Sequence, residues 1–241
     1  TRQNPTGVGA DGTIYKLYAG NGNNVANDTA NRVLSTWTEP VSRFLNDQVF
    51  YAHNAGGLLR LDADLTGLTT TSAALARVKH VILVRDNNNL FVAPEDNAVW
   101  RLSASLATST WTSGQSAILA SDKTSGASYT SGATSTIFVG QNNILYRLNA
   151  ANGNLVANWP QPSSGNIVTL PVEWKTYVYF GTDVGQLFAV NRTSNIARAN
   201  WPITLDTTNG TPIVRTVALD AVSSAVYFTT NEGRLYKFGI E

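Results

Sequence analysis

His53 and His80 are the only imidazoles in this 241-residue chain, and it has no cysteine. General acid–base catalysis draws most often on a positioned histidine. A thiolate zinc site or a disulfide is impossible without cysteine, and a histidine site would need both rings to converge with acids. His53 falls in a predicted turn and His80 in a predicted strand, and neither lies in a nucleophile motif. Both read as structural, so no catalytic, metal-binding or cofactor-binding residue is assigned and no cofactor is expected. The densest oxygen cluster, Asp86-Asn87-Asn88-Asn89, has too few carboxylates for a calcium site and reads as a turn.

The elements that would position any site come from a phrase repeated six times: an apolar strand, a polar turn, then hydrophobic–aromatic–x–hydrophobic. The copies are VGADGTIYKL (8–17), VFYAHNAGGLLRL (49–61), LFVAPEDNAVWRL (90–102), IFVGQNNILYRL (137–148), VYFGTDVGQLFAV (178–190) and VYFTTNEGRLYKF (226–238). Their large residues are Tyr15, Leu59, Trp100, Tyr146, Phe188 and Tyr236, spaced by 44, 41, 46, 42 and 48 residues. A period of about 40–50 residues with several strands per unit predicts a β-propeller. The expected fold is all-β, with four-stranded antiparallel blades, six preferred and five the alternative.

In the fourth unit, strands are expected at 135–140, 144–148 and 155–159, with Pro160 and Pro162 ending the last. Inner strands are expected at 79–85, 166–172 and 212–218, while 121–135 reads as a long loop or ragged blade. The first unit lacks room for an inner strand and the last for an outer one. The whole, 1–241, is read as one propeller domain, with excision from a larger chain a second explanation of the ragged ends.

The fourth and fifth units, IFVGQNNILYRLNAANGNLVANW (137–159) and VYFGTDVGQLFAVNRTSNIARANW (178–201), resemble the repeat of the pyrroloquinoline-quinone-like propeller family. The resemblance extends more weakly over the remaining units. It implies a propeller of this type but not one activity, because the family includes quinoprotein dehydrogenases, assembly factors, adhesins and sensors. The dehydrogenases imply a larger propeller, a calcium site and often a vicinal disulfide, which fits poorly with a cysteine-free chain of this size.

Four tryptophans, Trp37, Trp111, Trp159 and Trp201, follow a third strand, where the resemblance implies docking between blades. Burial of a large apolar ring at a repeated interface agrees with this, and exposed stacking against sugars is the other reading. One feature departs from the family pattern. Five of six third strands place a cation after the aromatic position: Lys16, Arg60, Arg101, Arg147 and Lys237, with Ala189 the exception. These could form an anion-binding ring. The plainer reading has each aliphatic stem packed between blades with the charge reaching water or a carbonyl.

His53, Glu95, Asp96, Gln141, Asp183 and Glu232 fall in the turns between second and third strands, which gather near one end of a propeller channel. That funnel is the default place for a small polar ligand, against the plain reading of solvated turns. Net charge is +1 and charged residues are 14% of the chain, which gives no argument for nucleic acid or an acidic membrane. No apolar run is long enough to span a bilayer. Thr1 in place of an initiating methionine leads to the expectation of a processed, exported chain that is extracellular, at the cell surface or periplasmic. The leading function is a non-catalytic scaffold that binds a protein partner or sits in a larger assembly. A glycan-binding lectin and a fragment of a quinoprotein dehydrogenase are the alternatives.

Overall fold

A computed structural model describes the chain at residues 135–206 and 210–240, and before them as the strand segments named below. The chain divides into two compact units, Thr1–Gly114 and Gln115–Glu241. All the described elements are strands, every pairing is antiparallel, and there is no helix among the described residues.

The first unit holds three sheets. β1 (Thr6–Val8), β2 (Ile14–Leu17) and β3 (Asn24–Asp28) make a three-stranded sheet. β4 (Ser42–Arg43), β5 (Val49–Ala52), β6 (Leu58–Leu61) and β7 (Thr69–Thr70) make a four-stranded one. β8 (Val78–Val84), β9 (Asn89–Pro94) and β10 (Trp100–Ser103) make the third.

The second unit repeats the arrangement. β11 (Thr124–Thr130), β12 (Thr136–Gln141), β13 (Ile144–Asn149) and β14 (Gln161–Pro162) pair in chain order. So do β15 (Val172–Trp174), β16 (Tyr177–Gly181), β17 (Gln186–Asn191) and β18 (Ile203–Thr204). β19 (Val214–Asp220), β20 (Ala225–Thr230) and β21 (Leu235–Gly239) form a three-stranded sheet.

The repeat phase is visible in the register. Each large residue of the phrase lies opposite a second-strand residue: Tyr15 opposite Gly7, Leu59 opposite Tyr51, Trp100 opposite Val92, Tyr146 opposite Val139, Phe188 opposite Phe180 and Tyr236 opposite Phe228. The hairpin turns carry the residues that positive φ demands. Asn142 turns β12 into β13 at φ 49, and Gly185 and Gly233 turn the two later hairpins at φ 73 and 76.

Three sequence expectations need correction. The segment read as a long loop or a ragged blade at 121–135 is no loop: it contains β11, the inner strand of its sheet, with a bulge between Thr124 and Gly126. Its Thr-Ser-Gly composition hides the alternation that marks a strand, yet all that β12 requires is a backbone ladder. The inner strand expected at 166–172 is split. Ile167 bridges Thr182, then the Thr169 hydroxyl accepts the Gly181 N–H at 2.9 Å, and regular pairing resumes at β15. Pro171, which has no N–H to give a ladder, stands in the gap.

The outer strand expected at 155–159 is also split. Leu155 bridges Leu148 and the Val156 N–H donates to the Arg147 carbonyl. The chain then leaves the ladder and returns at β14, where Gln161 and Pro162 lie opposite Leu145 and Ile144. Pro162 therefore sits beside the third strand rather than ending the pairing, which a strand at the sheet's margin tolerates. The next sheet does the same. Ala197 bridges Val190, the Arg198 N–H donates to Ala189, and Ile203 pairs with Leu187. Asn158 and Asn200 take φ 66 and 64 at the excursions, each followed by a cis Trp–Pro bond.

Each excursion delivers its tryptophan to an interface. Trp159 is 5% exposed and packs with Phe138 and Leu145 of its own sheet against Ile167, Val178, Phe180, Phe188 and Val190 of the next. On the far face of that next sheet, Tyr179, Leu187 and Ala189 meet Val214, Val226 and Phe228 of the last sheet, with Trp201 against the cluster. The β15–β18 sheet is thus apolar on both faces, as a sheet between two others must be.

Candidate functional site

The repeated cation position is the first candidate. Alternation along β13 puts Arg147 opposite Phe138, and the guanidinium lies 5.8 Å from that ring's centroid. Arg60 lies opposite Phe50, Arg101 opposite Phe91 and Lys237 opposite Tyr227, so an aromatic faces the cation in four of the six sheets. Lys16 lies opposite Thr6. In the exceptional sheet Ala189 is opposite Tyr179, and Arg198 from the outer strand approaches instead, with its Nη1 3.5 Å from the Tyr179 hydroxyl.

Arg147 is 9% exposed. Its Nη1 donates to the Arg192 carbonyl oxygen of the next sheet at 2.6 Å, and its Nε lies 3.5 Å from Thr136 Oγ1. Arg192 in turn pairs with Glu173. Burial lowers the Arg147 pKa, and the Arg192 charge lowers it further, while Glu173 opposes both. Burial likewise pushes the Glu173 carboxyl up, against the pull of Arg192 and Arg147. Two cations and one carboxylate, tied to a backbone carbonyl, form a bridge between sheets that leaves the Arg147 head engaged rather than offered to a ligand. Arg60 and Arg101 are partly buried, and Lys237 is exposed with its ammonium 5.7 Å from the Tyr227 centroid.

The turn residues behave individually. Gln141 is buried at the end of β12. Asp183 accepts from the Asn166 N–H at 2.8 Å and from the Asn166 side-chain amide at 2.7 Å, which ties the hairpin to the inner segment. Glu232 is exposed and lies 3.4 Å from Arg234 of its own turn. Asp183 and Glu232 are thus each held locally. His53, Glu95, Asp96, Trp37 and Trp111 lie outside the described residues, and His80 sits in β8 opposite Ala93. Among the described residues no group of three histidines or acids could hold a metal ion.

Sequence reasoning passed over the residues that join the sheets. Asn195 donates from its side-chain amide to the Asn158 carbonyl at 2.6 Å, linking one outer excursion to the next. Gly181 lies so close to the last sheet that a Cβ there would stand 2.4 Å from Val214 Cγ1. The only sequence signal was the glycine ending VYFG, which reads equally well as a turn residue.

The last sheet differs from the two before it at its margin. Leu145 and Leu187 are fully buried, whereas Leu235, at the same phase of β21, is 66% exposed. No strand pairs with β21 on its far side among the described residues.

A family model described as outer membrane protein assembly factor BamB matches residues 10–238. Among solved structures, a computationally designed protein, Ika8, superposes with a TM-score of 0.71 at 11% identity, over 100% of this chain and 69% of that one. A chain of the mitotic checkpoint complex superposes with a TM-score of 0.73 at 14% identity, over 99% and 76%. These likenesses concern the fold. No curated protein matches the chain. No described helix is long and apolar enough to cross a membrane.

Proposed function

The chain belongs to the PQQ-like β-propeller repeat family of the outer membrane protein assembly factor BamB, and we propose from that membership that it is a non-catalytic propeller module that binds a protein partner. In this reading the six sheets are six blades, and the protein is exported and works in the cell envelope or at the surface. The observation that carries it is where the polar groups are spent. Arg147 holds one sheet to the next through the Arg192 carbonyl, Arg192 pairs with Glu173 inside that next sheet, and Asp183 holds a hairpin. Such commitments suit a rigid platform, whose margins and turns are left for recognition.

The test is complex formation. Purified chain is mixed with envelope proteins of its source cell, and any complex is characterised by light scattering and crosslinking. A saturable complex of fixed stoichiometry is expected. Binding of pyrroloquinoline quinone with calcium, seen as a cofactor absorbance together with dye reduction by an alcohol, would overturn the non-catalytic reading.

A further inference from the structure

We propose that Asn152, followed by Gly153, is a site of spontaneous backbone modification, gated by the turn that holds it and able to loosen the joint between two sheets. The site lies wholly within the β11–β14 sheet and is independent of the protein-binding reading.

An asparagine followed by glycine is chemically vulnerable, because the glycine has no side chain to hinder its own backbone nitrogen. That nitrogen gives up its proton and attacks Cγ of the asparagine. The bond from Cγ to the amide nitrogen breaks, ammonia leaves, and a five-membered succinimide remains. Water then opens the ring at either carbonyl and gives aspartate or isoaspartate. Water is the only co-reactant. Asn152–Gly153 is the one Asn-Gly pair among the described residues.

The turn after β13 decides when the attack can occur. Asn152 is exposed, but Gly153 is buried, at φ 75, and its N–H donates to the Asn149 carbonyl at 2.8 Å. Asn152 Oδ1 accepts from the Asn154 N–H at 3.0 Å, and Asn149 Oδ1 accepts from the Ala151 N–H at 2.8 Å. The Asn149 N–H closes the turn on the Asn154 carbonyl at 2.8 Å. The attacking nitrogen must shed its proton first, and here that proton is buried and bonded. The amide it would attack is itself tied to residue 154. Reaction therefore waits for a local opening of the turn.

The next sheet builds the same turn without the vulnerable pair. The Asn191 N–H donates to the Ile196 carbonyl at 2.8 Å and the Asn195 N–H to the Asn191 carbonyl at 2.9 Å. Ser194 and Asn195 stand at the phase of Asn152 and Gly153, with Asn195 at φ 59. The turn itself does not demand Asn-Gly.

Isoaspartate routes the main chain through the former side-chain carbon and lengthens the backbone by one atom. The register from residue 149 to 154 is then lost. Directly after it come Leu155, which bridges Leu148, the Val156 N–H on the Arg147 carbonyl, and Trp159, 5% exposed between two sheets. A change at an exposed turn is thereby passed to a buried joint. Ordinary aspartate at 152 leaves the backbone as it was, so the effect belongs to isoaspartate.

The full chain and a synthetic peptide of residues 147–158, RLNAANGNLVAN, are held side by side at neutral pH and body temperature. Peptide mapping that separates aspartate from isoaspartate follows both. Modification at Asn152 is expected in each, slower in the chain by about tenfold or more, equivalent to an opening free energy of about 1.4 kcal/mol or more. Asn149→Ala removes the acceptor for Ala151 and should bring the chain towards the rate of the peptide. If that variant unfolds, urea below the unfolding transition should do the same to the wild type. The isoaspartate form, separated from the unmodified chain, should have a lower urea midpoint. Asn152→Ser installs the residue that the next sheet uses and should keep its midpoint through the same incubation. Modification at the rate of the peptide overturns the gate, and a chain that stays unmodified while the peptide is consumed overturns the site. An isoaspartate form as stable as the fresh chain, or an Asn152→Ser chain that weakens as the wild type does, overturns the link to the joint.

Discussion

Arg147 of one sheet reaches the backbone carbonyl of Arg192 in the next, 2.6 Å from its Nη1, while Arg192 itself pairs with Glu173. Removal of the guanidinium leaves the part-buried Arg192 carbonyl without this charged donor. Arg147→Ala should therefore lower stability by about 1.5–3 kcal/mol, the range for a hydrogen bond from a charged donor. Lys237→Ala, at the same phase but exposed, should change it by less than about 0.5 kcal/mol. Urea midpoints of the two variants provide the comparison, and equal losses would show that burial does not distinguish these cations.

Glu173 gives a dependence on pH. Burial raises its pKa despite Arg192 and Arg147. An acid raised in the folded state holds its proton more tightly folded than unfolded. Its stabilising contribution is therefore greatest below the ordinary glutamate value and is lost as the pH climbs to the raised one. Glu173→Gln does not titrate. Urea unfolding of both proteins from about pH 4 to pH 7 should show the wild type losing stability relative to the variant as pH rises through that window. Parallel profiles would contradict it.

Trp159→Ala should cost roughly 3–5 kcal/mol, as for loss of a large buried aromatic. The Trp159 indole N–H is buried without an acceptor, so Trp159→Phe forfeits no hydrogen bond and should cost clearly less than alanine. Trp201 touches Tyr179, Phe228 and Phe238, and Trp201→Ala should destabilise in the same sense. Denaturation midpoints that scarcely move, together with loss of binding to a ligand, would make these tryptophans recognition residues instead.

Gly181→Ala pushes a methyl into Val214, which is fully buried. Overpacking of this kind costs about 1–3 kcal/mol. Val214→Ala makes room, so the double variant should recover part of the loss, giving a coupling energy of about 1 kcal/mol or more in a double-mutant cycle. Strict additivity would mean that the two sheets separate to accept the methyl.

The second and third strands were legible because both have apolar periodicity and end on turn residues with one conformational purpose, such as Asn142 and Gly185. Inner and outer strands were less so. β11 is built of Thr, Ser and Gly, and β14 and β18 are two-residue pairings reached after an excursion whose only trace is Asn-Trp-Pro. Candidate sites were less legible still. Asp183 reads as an exposed turn acid until Asn166, seventeen residues earlier, is seen to occupy both its oxygens. The bridge from Arg147 to Arg192 spans forty-five residues, and no local pattern announces a partner at that distance.

The β15–β18 sheet buries Phe180 and Phe188 on one side and Tyr179 and Leu187 on the other. It has no face of its own to lose to water, so it cannot open without uncovering both neighbours. The β19–β21 sheet has no further strand paired to β21 among the described residues and exposes Leu235, so its β21 side is less covered. Local stability should therefore form a gradient, with the Val178–Phe180 and Leu187–Val190 amides exchanging only on global unfolding and those of Leu235–Gly239 exchanging through small openings. A sheet covered on both faces thus sets the stability of the two that cover it.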